Sequence, residues 1–330
     1  MRLGTVRIRG TAPRLVGLTA ADSGYVIDIN EAGVDLGLIY GESPRTLVEL
    51  LELGDYGQSF LADLAKKVED RGGLASAPWA FALADVEFLS PVPRPGKVIL
   101  IGGNRKVSGQ PLDPGIQDVW PRPQYFEKSP TSVTGHNATV NAWQAFRPVQ
   151  IEGEVCVIFG RRARNVAAAD AWSYVAGVSL LNDMSAGRFG LQDGVVLMIN
   201  RGPGVPPEEM ITRNMSRAKI PDGYCPIGPW MVPVSDLDVP FEDVEVTTIV
   251  GPNVVQQGVI ADYGFSAEEC IEEVTRWVTF EPGDVLSLGC FANLPDFPLR
   301  NVDAAAEGRR KLVVTSPQLG ELVTHVNLVD

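Results

Sequence analysis

The chain has 330 residues, 45% hydrophobic and 21% charged, an ordinary globular balance with length for one large domain or a large one with a small companion. A formal net charge of −13, with no basic stripe to offset it, argues against a nucleic-acid partner. No run of about 18 apolar residues is there to span a membrane, and the opening MRLGTVRIRG has positive charge but no apolar stretch behind it, so no secretory signal is expected.

In chain order, strand-like runs at residues 6–9 and 25–29 come first. A helix-like stretch over residues 44–68 follows, with Leu47, Leu50, Leu51, Leu61 and Leu64 at its apolar positions and with Gly54 and Gly57 expected to interrupt it. The run Pro91-Val92-Pro93-Arg94-Pro95-Gly96 reads as a stiff, extended hinge. It divides the chain into a small N-terminal α+β domain, residues 1–92, and a larger domain, residues 93–330. The larger domain opens on an apolar strand at 97–101 that ends at Gly102-Gly103. A helix is expected from residue 167 to 175, ending at Gly177. Ser266 and Glu269 form a capping-box pattern, and behind them Cys270, Ile271, Val274, Trp277 and Val278 fall on one helical face. Pro282-Gly283-Asp284 stops that helix and leads into a strand at 285–288. The Pro/Gly-rich connections at 109–123 and 201–207 read as loops. Cys156, Cys225, Cys270 and Cys290 lie far apart, which suits reduced thiols in a cytoplasmic protein better than a disulfide framework or a zinc site.

The acidic residues carry the chemistry. Glu152 and Glu154 open the strand at 155–159, so they share one face about 7 Å apart. A solvated strand edge is the bland explanation of such a pair. Asp183, however, ends a second apolar run, at 175–181, where a buried charge requires a partner. Three carboxylates with no clustered His or Cys suit Mg²⁺, Mn²⁺ or Ca²⁺ rather than zinc.

Several ordered segments resemble the fumarylacetoacetate hydrolase superfamily. They are Arg94-Pro-Gly-Lys-Val-Ile-Leu-Ile-Gly-Gly-Asn104, Glu152-Gly-Glu154, Tyr174-Val-Ala-Gly177 with Asn182-Asp183-Met-Ser185-Ala186, Arg217-Ala-Lys219-Ile-Pro-Asp222-Gly-Tyr-Cys-Pro226-Ile-Gly228-Pro229-Trp230, and Glu281-Pro-Gly-Asp284-Val. The resemblance implies a mixed, mainly β fold with a β-sandwich or roll, a small N-terminal domain and a homodimer. It places the metal carboxylates on Glu152, Glu154 and Asp183, and the lysine that faces substrate on Lys219; the plain alternative for Lys219 is a counter-charge for Asp222. Its substrates are 2-oxo acids or 1,3-dicarbonyl compounds, which can chelate a cation through two oxygens and react through a stabilised enolate. Asn104, Arg105, Arg188, Gln192, Gly289 and Cys290 fall at or beside positions where the family touches substrate.

The chain departs from the hydrolase pattern where the family carries Gly-x-Asn-Tyr, a catalytic His and a Glu three residues later. Here Ser108 stands in place of the His and Pro111 in place of the Glu. Ser108 is the catalytic candidate by position, yet serine has no pKa near neutrality and cannot replace imidazole as a base unaided. The two histidines, His136 and His325, read as structural. Arg188 and Gln192 stand four apart, one residue displaced from the family spacing, and Cys290 replaces a threonine hydroxyl that contacts the substrate carboxylate. These departures favour a lyase or isomerase working by decarboxylation, dehydration or tautomerisation. The alternatives are a C–C hydrolase of a β-diketone or acylpyruvate, and a ligand-binding protein without turnover.

Overall fold

The computed structural model describes all residues except 20–23, 40–42, 105–121, 213, 292–293, 295–300 and 303–309. The N-terminal part contributes β1 (Arg2–Ile8), β2 (Arg14–Leu18), β3 (Tyr25–Asp28), α1 (Ile29–Asp35), α2 (Leu47–Glu52), α3 (Asp55–Arg71), β4 (Ala80–Ala82) and β5 (Val86–Phe88). After the proline cluster come β6 (Val98–Gly102), β7 (Gln124–Lys128), β8 (Val133–Thr134), β9 (Ala138–Trp143), β10 (Val149–Gln150), β11 (Gly153–Phe159) and β12 (Val175–Asn182). The middle holds β13 (Ser185–Ala186), α4 (Gly187–Gln192), β14 (Val195–Ile199), β15 (Glu208–Thr212), α5 (Ser216–Lys219) and β16 (Cys225–Val232). The chain finishes with β17 (Glu245–Val250), β18 (Asn253–Val259), α6 (Ala267–Thr275), β19 (Val285–Cys290), β20 (Asn301–Val302), β21 (Arg310–Ser316) and β22 (Gly320–Val329). The fold is mixed and mainly β, as the sequence implies.

One large sheet runs in the order β4-β3-β2-β1-β16-β12-β11-β19-β6-β7, with β5 on β1 and β8 on β16. The sheet is continuous across the hinge, because β1 pairs with β16 at Leu3 and Met231. A second sheet, β18-β17-β21-β22-β9, lies against it. Strand β11 sits at the centre of this stack. Its Val155, Val157 and Phe159 pack with Val246, Val314 and Leu322 of the second sheet. The alternating Cys156 and Ile158 pack on the other face with Leu47, Leu50, Phe60 and Leu64 of α2 and α3. A strand covered on both faces reads as a continuous apolar run, which is how this one reads.

Three local expectations change. Gly54, with φ +56, breaks the helix between α2 and α3, but Gly57 lies inside α3. A Cβ there would sit 2.5 Å from the Leu50 carbonyl oxygen, so the glycine serves close packing rather than a break. The helix expected at 167–175 is a 3₁₀ segment, Ala168–Tyr174, and Gly177 falls within β12. A Cβ on Gly177 would lie 2.5 Å from the Val232 carbonyl oxygen on the neighbouring strand. Finally, Ser266 and Glu269 do form a capping box, but α6 ends at Thr275. Trp277 therefore lies beyond the apolar face formed by Cys270, Ile271 and Val274, and is exposed.

Candidate metal and substrate site

The site forms where neighbouring strands β11 and β12 begin and end. Gly153 pairs with Asn182, and the Asp183 N–H donates to the Glu152 carbonyl at 2.8 Å, which places Glu152 and Asp183 side by side. Glu154, one step into the strand, pairs with Cys290 at the end of β19. Side chains of directly opposed residues share a face. Ligand atoms of Glu152, Glu154 and Cys290 accordingly lie within 4.8 Å of one another, and Cys290 Sγ donates to Glu152 Oε1 at 3.6 Å.

The intervening Gly153 has a geometric reason. A Cβ at this position would lie 2.0 Å from Thr248 Oγ1 of β17, so only glycine lets the two sheets close here. The buried Gln256 fastens the same point: its Oε1 accepts from the Gly153 N–H at 3.0 Å and its Nε2 donates to the Phe291 carbonyl at 2.7 Å. Gly153→Ala is expected to lower unfolding free energy by about 1–3 kcal/mol through overpacking. Chemical denaturation measures this, and an unchanged midpoint would mean that the sheets can part at no cost.

Lys219, at the C-terminal end of α5, enters the cluster directly. Its Nζ donates to Glu152 Oε2 at 3.2 Å and to Asp183 Oδ2. Asp222, its alternative partner by sequence, is exposed and forms no described contact with it. Phe126 supports the ammonium, which stands 4.7 Å from the ring centroid. A second cation was not foreseen: Lys128, at the end of β7, is wholly buried, with Nζ 2.7 Å from Asp183 Oδ1. Its hydrogen bonds go instead to the carbonyls of Met184 and Tyr224, both at 2.8 Å. Asp183 Oδ1 therefore has an ionic neighbour but no aligned hydrogen bond. The available signal was the period-two strand pattern, which sets Lys128 on the face of Phe126.

The electrostatics follow from burial. Burial, reinforced by Asp183 and Glu152, pushes the Glu154 carboxyl well above its usual range, against the opposing pull of the Ser287 hydroxyl and Lys219. For Lys219, burial alone would lower the pKa, but the carboxylates of Asp183 and Glu152 outweigh it and hold the ammonium above its ordinary value. Three carboxyl groups face two ammonium groups, and burial favours the protonated form of Glu154 until a cation replaces the proton. A hard divalent cation fits that oxygen donor set, and Glu152, Glu154 and Asp183 are the residues that could hold it.

The other candidates divide. Asn104 is buried, and its amide is committed to backbone: Nδ2 donates to the carbonyls of Leu288 at 2.7 Å and Phe265 at 3.1 Å, while Oδ1 accepts from the Phe265 N–H at 2.8 Å. Gly289, with φ +95, packs against it; a Cβ there would lie 2.8 Å from the Asn104 Cβ. This pair fixes the end of β19, and with it Cys290. Arg188 and Gln192 lie on α4 and are exposed. Arg105, Ser108 and Pro111 lie outside the described residues. His136 is a structural group: its Nδ1 accepts from the Val323 N–H at 3.2 Å, its ring meets Phe88 edge-on, and burial lowers its pKa. His325 lies on β22, opposite Lys311 and Thr139 in the second sheet. Asp284 is likewise structural, accepting from the backbone N–H groups of Lys97 and Glu281.

The family model described as "Fumarylacetoacetate (FAA) hydrolase C-terminal" matches residues 97–327. The chain is 29% identical over 252 residues to the oxaloacetate tautomerase YisK of Bacillus subtilis (strain 168), covering 74% of this chain and 75% of that protein. Among solved structures it resembles a 5-carboxymethyl-2-hydroxymuconate delta-isomerase from Mycobacterium smegmatis, with TM-score 0.67, 22% identity and full coverage of both chains. A maleylpyruvate hydrolase from Sphingobium sp. SYK-6, solved in complex with manganese(II) and pyruvate, gives TM-score 0.67 at 21% identity, again over all of both chains. Likeness at these identities establishes the shared fold.

Proposed function

The chain belongs to the fumarylacetoacetate hydrolase family of enzymes, and from that premise we propose that it is a divalent-cation-dependent isomerase that tautomerises a 2-oxo acid or related 1,3-dicarbonyl compound through an enolate. The observation that carries this reading is the Lys219 ammonium set between Glu152 and Asp183, with Glu154 buried beside them. The tautomerase relative supports it from outside the molecule.

Glu152, Glu154 and Asp183 hold the cation, Mg²⁺ or Mn²⁺ by donor type, and the manganese in the maleylpyruvate hydrolase structure supports a divalent ion in this fold. When bound, such a cation supplies Lewis acidity at a keto oxygen and so acidifies the adjacent C–H. Lys219 is held charged by its carboxylate partners, so it acts as a donor and not as the base. Its ammonium meets the substrate carboxylate or the enolate oxygen and balances charge that grows as the C–H bond breaks. Lys128 keeps Asp183 in place from the buried side. Ser108, Asn104, Arg105, Arg188, Gln192, Gly289 and Cys290 remain proposed substrate contacts or supports, with Asn104 and Gly289 acting through the backbone they position. A serine where the family's hydrolases carry an imidazole leaves water without its usual activating base, whereas moving a proton along an enol needs no nucleophilic water: the proton leaves carbon to solvent buffer and one returns from it to the other end of the enolate.

The remaining expectations belong to the same proposal. The protein functions in the cytoplasm, which the four unbridged, buried cysteines support. Among the described residues no helix is long and apolar enough to cross a membrane. It works as a homodimer, and the β14–β15 hairpin supports this by exposing Val195, Val196, Leu197, Met198 and Met210. Residues 1–92 act as a small companion to residues 93–330.

The test loads the protein with Mg²⁺ or Mn²⁺ and presents a panel of 2-oxo and 1,3-dicarbonyl acids, once in D₂O and once in ¹⁸O-water. The expected result is deuterium at the carbon beside the keto group and faster enol–keto conversion, with the carbon skeleton intact. Cleaved product carrying ¹⁸O in a new carboxylate would replace this reading with the hydrolase.

A further inference from the structure

We propose that Cys290 is a fourth donor to the cation, which gives this site a preference for thiophilic divalent ions such as Co²⁺ and Zn²⁺ over Mg²⁺. The proposal rests on the cation site described above and sharpens which ion that site takes. The geometry comes from the sheet register. Cys290 stands directly opposite Glu154 across the β11–β19 ladder, and its Sγ lies within 4.8 Å of ligand oxygens of both Glu154 and Glu152. The thiol is buried and donates to Glu152 Oε1 at 3.6 Å, so it points among the carboxylates rather than into the apolar core.

Three further features fix it there. Gly289 at φ +95 turns the end of β19, and the Asn104 amide clamps the Leu288 carbonyl beside that turn at 2.7 Å. Tyr263 donates to the Gly289 carbonyl at 2.6 Å and so tethers the residue before Cys290. Asp183 lies beside this cluster with both carboxylate oxygens facing ammonium groups, Oδ1 2.7 Å from Lys128 Nζ and Oδ2 bonded to Lys219. The thiol thus joins the two glutamate carboxyl groups within the span of one cation's donor set.

The chemistry follows from softness. Oxygen donors alone suit Mg²⁺, which demands hard ligands, whereas a thiolate adds most to Co²⁺ and Zn²⁺ and less to Mn²⁺. On coordination the Sγ–H bond breaks, a bond from Sγ to the cation forms, and the proton leaves to the solvent buffer. The same position cannot hold a substrate carboxylate as a hydroxyl would, because a thiol is a weak donor. One residue change thereby removes a substrate contact and supplies a metal donor.

The test reads the cation and not turnover. Purified full-length protein, stripped of metal, is titrated with Co²⁺ and, separately, with Mg²⁺. The wild type should develop a sulfur-to-cobalt charge-transfer band in the near ultraviolet. Cys290→Ser should lose that band and bind Co²⁺ roughly 10-fold more weakly or worse, while its affinity for Mg²⁺ changes by less than about 2-fold. Cys290→Ala should behave in the same way, which separates loss of the sulfur from any new serine contact. Co²⁺ binding with visible d–d bands but no sulfur band, or a band that survives in Cys290→Ser, would overturn the role of Cys290 and leave the carboxylate site standing. Failure of the wild type to bind any divalent cation would remove both readings together.

Discussion

Lys219→Met is expected to reduce kcat/KM by about 10²–10³-fold, the cost typical of removing one donor that stabilises developing negative charge. Lys219 is the one cation described as bonded to two of the three carboxylates, Glu152 and Asp183, and methionine matches its length while carrying no charge. The fold should also feel the change. Without a cation, the variant removes one of two ammonium partners of buried Asp183 and the partner of half-buried Glu152, a loss smaller than the roughly 3–5 kcal/mol of a fully broken buried ion pair, because Lys128 remains. A bound divalent ion should return part of that stability through mass action. Activity is therefore compared at saturating Mn²⁺, with thermal unfolding recorded in its presence and absence. Full activity in a stably folded Lys219→Met would remove Lys219 from the chemistry and leave it as a counter-charge.

Glu154→Gln should weaken divalent-cation binding by more than about 100-fold, beyond the 10–100-fold cost typical of residues outside the ligand set. The substitution preserves shape and a hydrogen-bond acceptor for the Ser287 hydroxyl, so the strand pairing need not change. Its second consequence has the opposite sign. Burial, Asp183 and Glu152 raise the Glu154 pKa in the cation-free protein. A carboxyl whose folded pKa is raised contributes stability that is fully present below its unfolded pKa, and that stability is lost as pH rises through the folded pKa. Glutamine has no proton to lose, so the cation-free variant should resist unfolding better than wild type on the alkaline side of that window. The proton on Glu154 must also leave when a cation arrives, so wild-type affinity climbs with pH across the same window, and that climb flattens in the variant. Isothermal titration calorimetry at several pH values measures both effects. Unchanged affinity in Glu154→Gln would sink the metal assignment outright.

Both predictions concern a site that combines stability cost with chemical use. Three carboxyl groups and two lysines are packed where the adjoining strands are otherwise apolar, and they are held by one another, by the Ser287 hydroxyl and, for Lys128, by backbone carbonyls. Such arrangements are retained where function requires them. The supports around the site have plainer tasks: Gln256 joins two sheets, Asn104 joins β19 to the loop at Phe265, and Asp284 closes the turn before β19.

Local rules made much of the fold legible. The capping box at Ser266 and Glu269 needs only four consecutive residues, and it forms as read. The apolar runs of β11 and β12 declare themselves because both faces are covered. Differences arise where local signals compete with packing between elements. Gly57 and Gly177 look like interruptions, yet each is a glycine because another backbone approaches within a carbon's width. Trp277 follows the apolar helical spacing, but the helix has already ended and the indole faces solvent.

The ingredients of the site are visible in the chain: acidic residues at the ends of two apolar strands, a lysine near the second, and a serine where an imidazole is customary. Residue type and spacing along one strand are local properties, so Glu152 and Glu154 could be placed on one face from the chain alone. The tertiary structure decided which groups meet. Asp183 reaches Glu152 through a cross-strand hydrogen bond, Cys290 reaches Glu154 through the β11–β19 register, and Lys128 comes in from a strand that pairs with neither β11 nor β12. Register between strands more than a hundred residues apart is set by how their apolar faces pack and by where a glycine such as Gly153 lets two sheets close. No short-range pattern encodes that choice. The carboxylates could be read from the sequence; the second lysine and the thiol beside them follow from the packing.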